Sequence, residues 1–219
     1  VTDVGEYTVG TIQKTSTSTN GTYGFIFGGY APPPVGASVT TQTKLGFTSP
    51  YPQSDNGELT AALENAGGHS DLTYSYRTGS GYPFTNIIER FPFAATSGTY
   101  SDVGDLTTTV GYHGSASGPT HGLVHGGNPI TDRLERFEFA SSGNASDIGE
   151  AVQAGKSSGS NGPDAAYFVG GNTTPTSAPS VDTATKVPWA TTSGGGSDVG
   201  EIAVFDQYGF ENGSGGYEN

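Results

Sequence analysis

The chain contains no cysteine and only eight lysine and arginine residues among its 219 residues. Without cysteine, disulfide bonds, thiolate zinc sites and cysteine nucleophiles are excluded. The 21 acidic residues give a formal net charge of −13. Because phosphate binding requires clustered lysine and arginine, we expect no nucleic-acid partner. No stretch approaches the ~18 apolar residues of a membrane helix, so we expect no membrane insertion.

Glycine and aromatic residues are plentiful: the chain has 36 glycines, 12 tyrosines, 11 phenylalanines and one tryptophan. The low aliphatic content and high net charge would by themselves permit disorder. Aromatic residues, however, are depleted in disordered segments and bury large apolar surfaces. We therefore expect a folded chain with an aromatic core.

The tetrapeptide Ser/Thr-Asp-x-Gly recurs five times, each time followed by an acidic residue. Its aspartates are Asp3, Asp55, Asp102, Asp147 and Asp198, at intervals of 52, 47, 45 and 51 residues. In such a motif aspartate folds its side chain onto the backbone and glycine supplies a positive φ, so we interpret it as a structural turn. A calcium site using Asp102 and Asp105 is the less favoured alternative, because calcium takes about 6–8 oxygen ligands.

A second repeated element consists of a basic residue, an apolar residue, any residue and an aromatic residue. Its aromatic residues are Phe47, Phe93, Phe139 and Trp189, and its basic residues are Lys44, Arg90, Arg136 and Lys186. We predict that the four rings occupy equivalent buried positions between neighbouring repeats. We predict that each basic residue forms an ion pair with the repeated acids of its own repeat, on the opposite face of the strand.

A third element, an apolar run ending in glycines, completes each repeat. It covers residues 23–29, 121–127 and 166–171, with a degraded copy at 74–79. A period of ~40–50 residues suits propeller blades or helical pairs, and the abundance of glycine, threonine and proline excludes the helices. We predict an all-β chain with about four short strands per repeat. The single repeat domain spans residues 1–219, with repeats at about 3–54, 55–101, 102–146 and 147–197 and a partial fifth at 198–219.

These motifs resemble the kelch repeat, whose period is ~50 residues. More narrowly, the unit RFEFASSGNASDIGEA and the run GLVHGG resemble kelch-like repeats in virion proteins of marine bacteriophages. The resemblance spans essentially the whole chain and is clearest over residues 85–171. It departs from eukaryotic kelch modules, because D-x-G stands where the blade tryptophan and arginine would fall. The resemblance implies a β-propeller in a phage tail, fibre or capsid decoration.

The C-terminus ends inside an incomplete fifth repeat, and the N-terminus begins at the same D-x-G phase as that repeat, so the two ends duplicate one another. A ring formed by these residues alone would therefore not close neatly. We expect either polypeptide outside residues 1–219 or a neighbouring subunit to complete the fifth blade, since an exposed strand edge is a template for pairing.

Three of the four histidines, His113, His121 and His125, lie within thirteen residues. His121 and His125 would share one face of a strand, yet a metal would need further ligands and the other repeats lack these histidines. We interpret them as structural. A kelch enzyme of the galactose oxidase type needs a Tyr–Cys cross-link, which this chain cannot form. We predict no catalytic residue, no cofactor and no metal ligand.

Two functions remain open from the sequence, and the first is favoured. It is a non-enzymatic structural or host-attachment protein of a bacteriophage particle, located in the virion and in contact with other virion proteins or copies of itself. The alternative is a carbohydrate-binding or adhesive module of a secreted bacterial protein, in which Tyr82, Tyr100 and Tyr112 stack against sugars of a glycan. A hydrolase on a propeller is a third hypothesis, but no carboxylate pair supports it.

The fold prediction is checked by far-ultraviolet circular dichroism of the purified chain. We expect a spectrum dominated by β-structure and turns, because the sequence contains no helical apolar periodicity. A strong double minimum typical of α-helix would contradict it.

Overall fold

The computed structural model describes residues 12–48, 50–172 and 182–202, and every regular element in them is a β-strand, as predicted. Sheet 1 contains β1 (Ser16–Thr19), β2 (Tyr23–Phe27), β3 (Tyr30–Ala31), β4 (Ala37–Gly46) and β5 (Gln53–Leu63). Sheet 2 contains β6 (Gly67–Ser70), β7 (Tyr74–Gly81), β8 (Phe84–Pro92) and β9 (Ser101–Asp105). Sheet 3 contains β10 (Gly114–Ser117), β11 (His121–His125), β12 (Arg133–Glu138) and β13 (Ser146–Glu150). Sheet 4 contains β14 (Lys156–Asn161), β15 (Ala165–Asn172), β16 (Thr183–Pro188) and β17 (Ser197–Glu201).

Each sheet is an antiparallel meander whose strands follow chain order. Sheets 2, 3 and 4 have four strands each, and sheet 1 has the order β1-β2-β4-β5 with the short β3 paired to β4. The D-x-G segments form the last strands β9, β13 and β17, as the four-strand prediction required. The consecutive sheets form a propeller-like arrangement. The described residues contain no helix that is long and apolar enough to cross a membrane.

The first strands of the four sheets lie side by side along one central line, because β1 contacts β6, β6 contacts β10, and β10 contacts β14. This closeness requires small residues. A Cβ atom on Gly68 would lie 1.9 Å from the carbonyl oxygen of Thr17, and one on Gly159 would lie 2.0 Å from that of Ser115. The glycine- and serine-rich composition of these strands therefore permits the close approach of neighbouring backbones.

The repeated aspartates have the predicted structural role in sheets 2, 3 and 4. Their Oδ1 atoms accept hydrogen bonds from the backbone N–H of the glycine two residues later, in the pairs Asp102–Gly104 (3.1 Å), Asp147–Gly149 (2.8 Å) and Asp198–Gly200 (2.8 Å). Gly149 and Gly200 have φ of +118° and +134°. The motif lies inside the last strand, opposite a register shift in the third strand, so it forms a β-bulge and not a turn between strands.

Sheet 1 departs from this pattern. Asp55 is exposed in the long strand β5, and Gly57 does not have a positive φ. A Cβ atom on Gly57 would lie 3.0 Å from the ring of Phe91, so this glycine is needed for packing against sheet 2. Asp3 lies outside the described residues.

The four repeat aromatics occupy equivalent positions, because each donates its backbone N–H to the residue just before the second strand of its sheet. The acceptors for Phe47, Phe93, Phe139 and Trp189 are the carbonyl oxygens of Thr22, Thr73, Thr120 and Asp164 at 2.9–3.1 Å. Three of the rings pack onto the preceding sheet: Phe93 lies 4.7 Å from Phe25, Phe139 lies 4.7 Å from Tyr76, and Trp189 lies 5.7 Å from His121, between ring centroids.

Burial follows from the presence of a preceding sheet. Phe93 and Phe139 are 3% and 4% exposed, and Trp189 is half-buried. Phe47 is 44% exposed, so the prediction that all four rings are buried is wrong for Phe47. The physical reason is its place in sheet 1, which is the first of the described sheets and has none of them before it.

The predicted ion pairs with the repeated acids are wrong, although Arg136 does pair within its own repeat with Glu138, at 2.7 Å. Lys44 Nζ donates to the carbonyl oxygen of Phe93 (2.8 Å), and Arg136 donates to the carbonyl oxygens of Trp189 (3.4 Å) and Thr191 (3.0 Å). Alternation along the strand points the cation toward the following sheet, where it binds backbone carbonyl oxygens. It therefore points away from the repeated acids of its own sheet.

The remaining two cations also avoid the repeated acids. The Arg90 guanidinium stacks over the Tyr74 ring at 4.7 Å, and Lys186 pairs with Asp164 at 3.0 Å. Within the described residues, none of the four repeat cations forms an ion pair with the aspartate of its own D-x-G motif or with the acid after it.

Three hydrophobic clusters fill the spaces between successive sheets. The first joins sheets 1 and 2 around Phe25 and Phe91, the second joins sheets 2 and 3 around Tyr76 and Phe137, and the third joins sheets 3 and 4 around Leu123. The core is therefore divided among sheet-to-sheet contacts.

Replacing a buried repeat aromatic is expected to destabilise the chain far more than replacing an exposed apolar residue. Phe139→Ala should lower the free energy of unfolding by about 3–5 kcal/mol, because it leaves a cavity between sheets 2 and 3. Leu72→Ala, which truncates a 58% exposed side chain in a turn, should change it by at most about 0.5 kcal/mol. Urea denaturation followed by tryptophan fluorescence measures both values, and equal losses would contradict the assigned packing.

Candidate functional site

Aromatic and charged side chains gather at the end of the sheets where the second strand turns into the third. We name this region the tyrosine end. It is defined by Lys14, Tyr30, Glu64, Tyr82, Tyr112 and Lys156. Lys14, Glu64 and Tyr112 lie in the connections before β1, β6 and β10. Tyr30 begins β3, Tyr82 directly follows β7, and Lys156 begins β14. All four sheets therefore contribute to it.

A backbone ladder fixes the centre of the tyrosine end. Lys14, Asn65 and Tyr112 each adopt the left-handed conformation, with φ of +57°, +54° and +59°. The N–H of Asn65 donates to the carbonyl of Lys14 (3.1 Å), and the N–H of Tyr112 donates to the carbonyl of Asn65 (3.0 Å). Left-handed residues other than glycine are unfavourable by roughly 1–2 kcal/mol each, so the surrounding structure must hold them in place. Such conformations concentrate at binding and active sites.

Bridges on either side of the ladder place the other two tyrosines. Tyr30 forms a β-bridge with Gln13, and Tyr82 forms the equivalent bridge with Glu64. The N–H of Gly81 and the hydroxyl of Ser80 both donate to the Glu64 carbonyl, at 2.8 Å and 3.1 Å. The backbone carrying Tyr82 is thus tied to the residue next to the ladder.

Two lysines lie among these rings. Lys14 Nζ is 2.9 Å from Glu64 Oε2 and 5.3 Å from the centroid of the Tyr30 ring. The hydrogen bond with Glu64 is the main cause of a raised pKa of Lys14, and nearby Tyr112 and Tyr30 act in the same direction. Lys156 Nζ lies 4.5 Å from the centroid of the Tyr112 ring. The tyrosine end therefore brings two ammonium groups, a carboxylate and aromatic rings close together, with Lys14 exposed and Lys156 and Glu64 buried.

Only two of the three tyrosines predicted as glycan contacts lie here. Tyr82 is 66% exposed, and the half-buried ring of Tyr112 packs against Gly81. Tyr100 is 3% exposed in the cluster between sheets 1 and 2, and its hydroxyl donates to Gln42 Oε1 and lies 3.0 Å from Ser75 Oγ. Burial raises the pKa of Tyr100. As a glycan contact Tyr100 is wrong, because it precedes β9 at the opposite end of the sheet.

Sequence reasoning missed Tyr30, Lys14, Glu64 and Lys156. A signal for Tyr30 was present, since it follows the glycine pair that ends the apolar run, close to where Tyr82 follows its own glycines. Lys14 and Lys156 could not be predicted from the repeat, because no basic residue stands at the matching position in the other repeats. Folding alone brings them to the same end.

The histidines are not gathered into one site. His125 lies 2.7 Å from Ser157 Oγ and 3.1 Å from the Gln153 carbonyl, and His113 Nε2 lies 3.1 Å from the Thr78 carbonyl. His121 packs edge-on against Trp189 at the other end of β11. Among the described residues no group of three or more His, Cys, Asp or Glu could hold a metal ion.

Two buried carboxylates occupy equivalent places in sheets 2 and 3. Glu89 pairs with the fully buried Arg77 at 2.9 Å, and Glu135 accepts hydrogen bonds from the N–H and hydroxyl of Thr107, both at 2.8 Å. Burial raises the pKa of both carboxyl groups. Glu89 also accepts a hydrogen bond from the N–H of Thr60 in sheet 1 (3.3 Å), and Thr107 follows the last strand of sheet 2, so each carboxylate connects its sheet to the preceding one.

Comparison with known proteins yields a likeness of fold. No family model and no curated protein matches the chain. The solved structure of YjhT is similar, with a TM-score of 0.72 and 11% sequence identity, over 93% of this chain and 70% of that one. At 11% sequence identity, the likeness shows a similar backbone fold and nothing more.

The buried histidines predict a loss of stability in acid. Burial lowers the pKa of His125 from 6.5 to about 4, so between these values the unfolded chain binds a proton that the folded chain does not. The stability that neutral His125 contributes is therefore complete above pH 6.5 and falls as the pH drops toward 4.

His125→Gln should remove up to about 1.4 kcal/mol per pH unit from the pH dependence of stability in this window. Urea denaturation at several pH values measures it, with Leu72→Ala as a control that should keep the original slope. A His125→Gln slope equal to that of the unsubstituted chain would show that His125 does not titrate in this way.

Proposed function

We propose that this chain is a non-enzymatic structural or host-attachment protein of a bacteriophage particle. It acts in the virion through a kelch-like β-propeller of four full repeats and a partial fifth. Its partners are other virion proteins, copies of itself and a glycan of the host surface. The partial fifth repeat falls mostly on residues 203–219, which lie outside the described residues.

The repeat supports the architecture. Three motifs in fixed order place equivalent rings, cations and bulges in successive sheets, and the likeness to YjhT over 93% of the chain concerns the same backbone path. The buried ionisable groups support a non-enzymatic role, because Arg77, Glu89 and Glu135 are engaged in contacts that hold the sheets. The phage setting is supported by the resemblance of the D-x-G repeat to virion proteins.

The tyrosine end is the observation that carries the attachment role. The exposed ring of Tyr82 offers a flat apolar face that suits the C–H face of a sugar. Its hydroxyl group lies at the solvent-exposed end of the same side chain. Beside it, Lys14, whose side chain is 43% exposed, presents an ammonium donor that can bind a sugar hydroxyl, and the buried Glu64 carboxylate holds that ammonium in place. The left-handed ladder holds these groups before the ligand arrives, which reduces the entropy lost on binding.

The same geometry supports a second candidate, a carbohydrate-binding or adhesive module of a secreted bacterial protein. Both candidates predict glycan binding at the tyrosine end. They differ in where the protein resides, so they require two separate measurements.

Binding is tested by applying the fluorescently labelled chain to a glycan array and then titrating the best sugar. We expect Tyr82→Ala to weaken binding at least about fivefold, which corresponds to about 1 kcal/mol of lost ring contact. Leu72→Ala, at the opposite end of sheet 2, is the matched control and should bind as the unsubstituted chain does. Equal binding by both variants would rule out the tyrosine end as the glycan site.

Location is tested by mass spectrometry of density-purified phage particles from a culture that encodes the chain. Peptides of the chain at a fixed ratio to the major capsid protein are expected of a virion component. Recovery of the peptides only from the cell-free or bacterial-surface fraction would favour the secreted module.

A further inference from the structure

A cavity of about 350 Å³ lies where sheet 1 meets sheet 2, and we name it the Lys44 cavity. It is at the end of sheet 1 opposite the tyrosine end, because β2 begins and β4 ends beside it. Its volume is within the range of about 300–1,000 Å³ that is typical of small-molecule sites. The lining residues that matter for the ligand are Tyr23, Lys44, Gly46, Pro52, Ser54 and Ala95.

The ammonium group of Lys44 is the charged group of this cavity. Its Nζ atom donates to the carbonyl oxygen of Phe93 at 2.8 Å and lies 4.0 Å from the centroid of the Tyr23 ring. A lysine ammonium has three N–H donors, so one is used by the carbonyl and the others can be donated to a ligand. The side chain is half-buried, and burial lowers the pKa of Lys44.

Within the part of the chain that the structure describes, no carboxylate forms an ion pair with Lys44. A partly desolvated cation without an anion is unfavourable. The cavity therefore favours the binding of a negatively charged group beside this ammonium.

The equivalent cation of sheet 3 receives such a group from the chain itself. Arg136 pairs with Glu138, two residues further along β12, at 2.7 Å. When the third strands are aligned at their cations, Gly46 takes the position of Glu138 beside Lys44. A Cβ atom on Gly46 would lie 3.0 Å from Pro52, so a side chain at this position would crowd the wall of the cavity.

The cation of sheet 4 also has a carboxylate partner within the chain. Lys186 pairs with Asp164 at 3.0 Å, and Asp164 is the residue just before the second strand of its sheet. Sheet 1 has Thr22 at this position. Both carboxylates that the chain supplies to its other repeat cations are thus replaced by uncharged residues around Lys44.

We propose that the Lys44 cavity binds a small organic carboxylate. The carboxylate accepts hydrogen bonds from Lys44 Nζ, as Glu138 does from Arg136. The apolar body of the ligand lies against the ring of Tyr23 and the side chain of Pro52. A bare inorganic anion would leave most of the volume unfilled. The inference is independent of the glycan site, since the cavity and the tyrosine end share none of their defining residues.

Binding is tested by fluorine NMR, with para-fluorobenzoate as the probe and its neutral isostere para-fluorobenzamide as the matched ligand. We expect the unsubstituted chain to broaden the signal of the acid and to bind it at least about tenfold more tightly than the amide, because charge-assisted hydrogen bonds are the stronger ones. Lys44→Met should lose this preference, and Lys186→Met should keep it. Equal binding of acid and amide by the unsubstituted chain would overturn the proposal.

Two variants of Ser54 decide the question even where Lys44→Met does not fold. Ser54 is exposed and lies directly opposite Lys44 in the register of β4 and β5. Directly opposite side chains are close neighbours, so Ser54→Glu supplies a carboxylate that competes with the ligand for the ammonium. We expect Ser54→Glu to weaken probe binding at least about tenfold relative to Ser54→Gln, which has nearly the same size and no charge. Equal affinities of the two variants would contradict the assigned site.

Displacement of the probe distinguishes an apolar acid from an acidic sugar. Unlabelled benzoate should displace para-fluorobenzoate more effectively than glucuronate, which has the same charge on a polar body. Displacement by glucuronate at an equal or lower concentration would refute the apolar body of the ligand. Tyr82→Ala should bind the probe as the unsubstituted chain does, so failure of the glycan site and failure of the Lys44 cavity are separate results.

Discussion

The structure depends on one contact that is repeated between successive sheets. An aromatic or apolar pair on the third strand of one sheet packs against a ring on the second strand of the sheet before it, while a cation beside that ring can bind the carbonyl of the incoming aromatic residue. Burial of the rings supplies most of the free energy, since each removes roughly 150–250 Å² from water. Where Lys44 and Arg136 bind a carbonyl of the following sheet, the hydrogen bond also restrains the register of the rings, because it weakens steeply when its distance or angle departs from the preferred range.

Buried polar groups also contribute to the contacts between the sheets. Arg77 and Glu89 are fully buried, and removing either would leave a charge without its partner, which is far more unfavourable than the pair itself. The two meet across β7 and β8 of sheet 2, and Glu89 also accepts a hydrogen bond from the N–H of Thr60 in sheet 1, so the pair lies at a sheet-to-sheet contact. The left-handed ladder at Lys14, Asn65 and Tyr112 then connects sheets 1, 2 and 3 at the tyrosine end, so the candidate binding surface is held by the packing beneath it.

Residues that share a motif have different environments in the folded chain. Phe47 and Phe139 have the same place in the repeat, yet only Phe139 has a sheet in front of it. Tyr82 and Tyr100 looked alike as loop tyrosines, but they lie at opposite ends of sheet 2, and one is buried. For Lys44 and Arg136, strand alternation correctly separated the cation from the apolar residues, while the identity of the acceptor depended on the neighbouring sheet.

The sequence by itself determined the all-β class, the position of the ring, cation and D-x-G in each strand and, for sheets 2, 3 and 4, the four strands per repeat and the aspartate-to-glycine hydrogen bond. These properties depend on residues within one repeat, so local spacing is sufficient to predict them. The tertiary structure alone decided which rings are buried, which carbonyl each cation binds, and that Lys14, Glu64, Tyr82 and Tyr112 share one surface. The physical reason is that each of these contacts forms between repeats, across sequence separations that motif spacing does not encode.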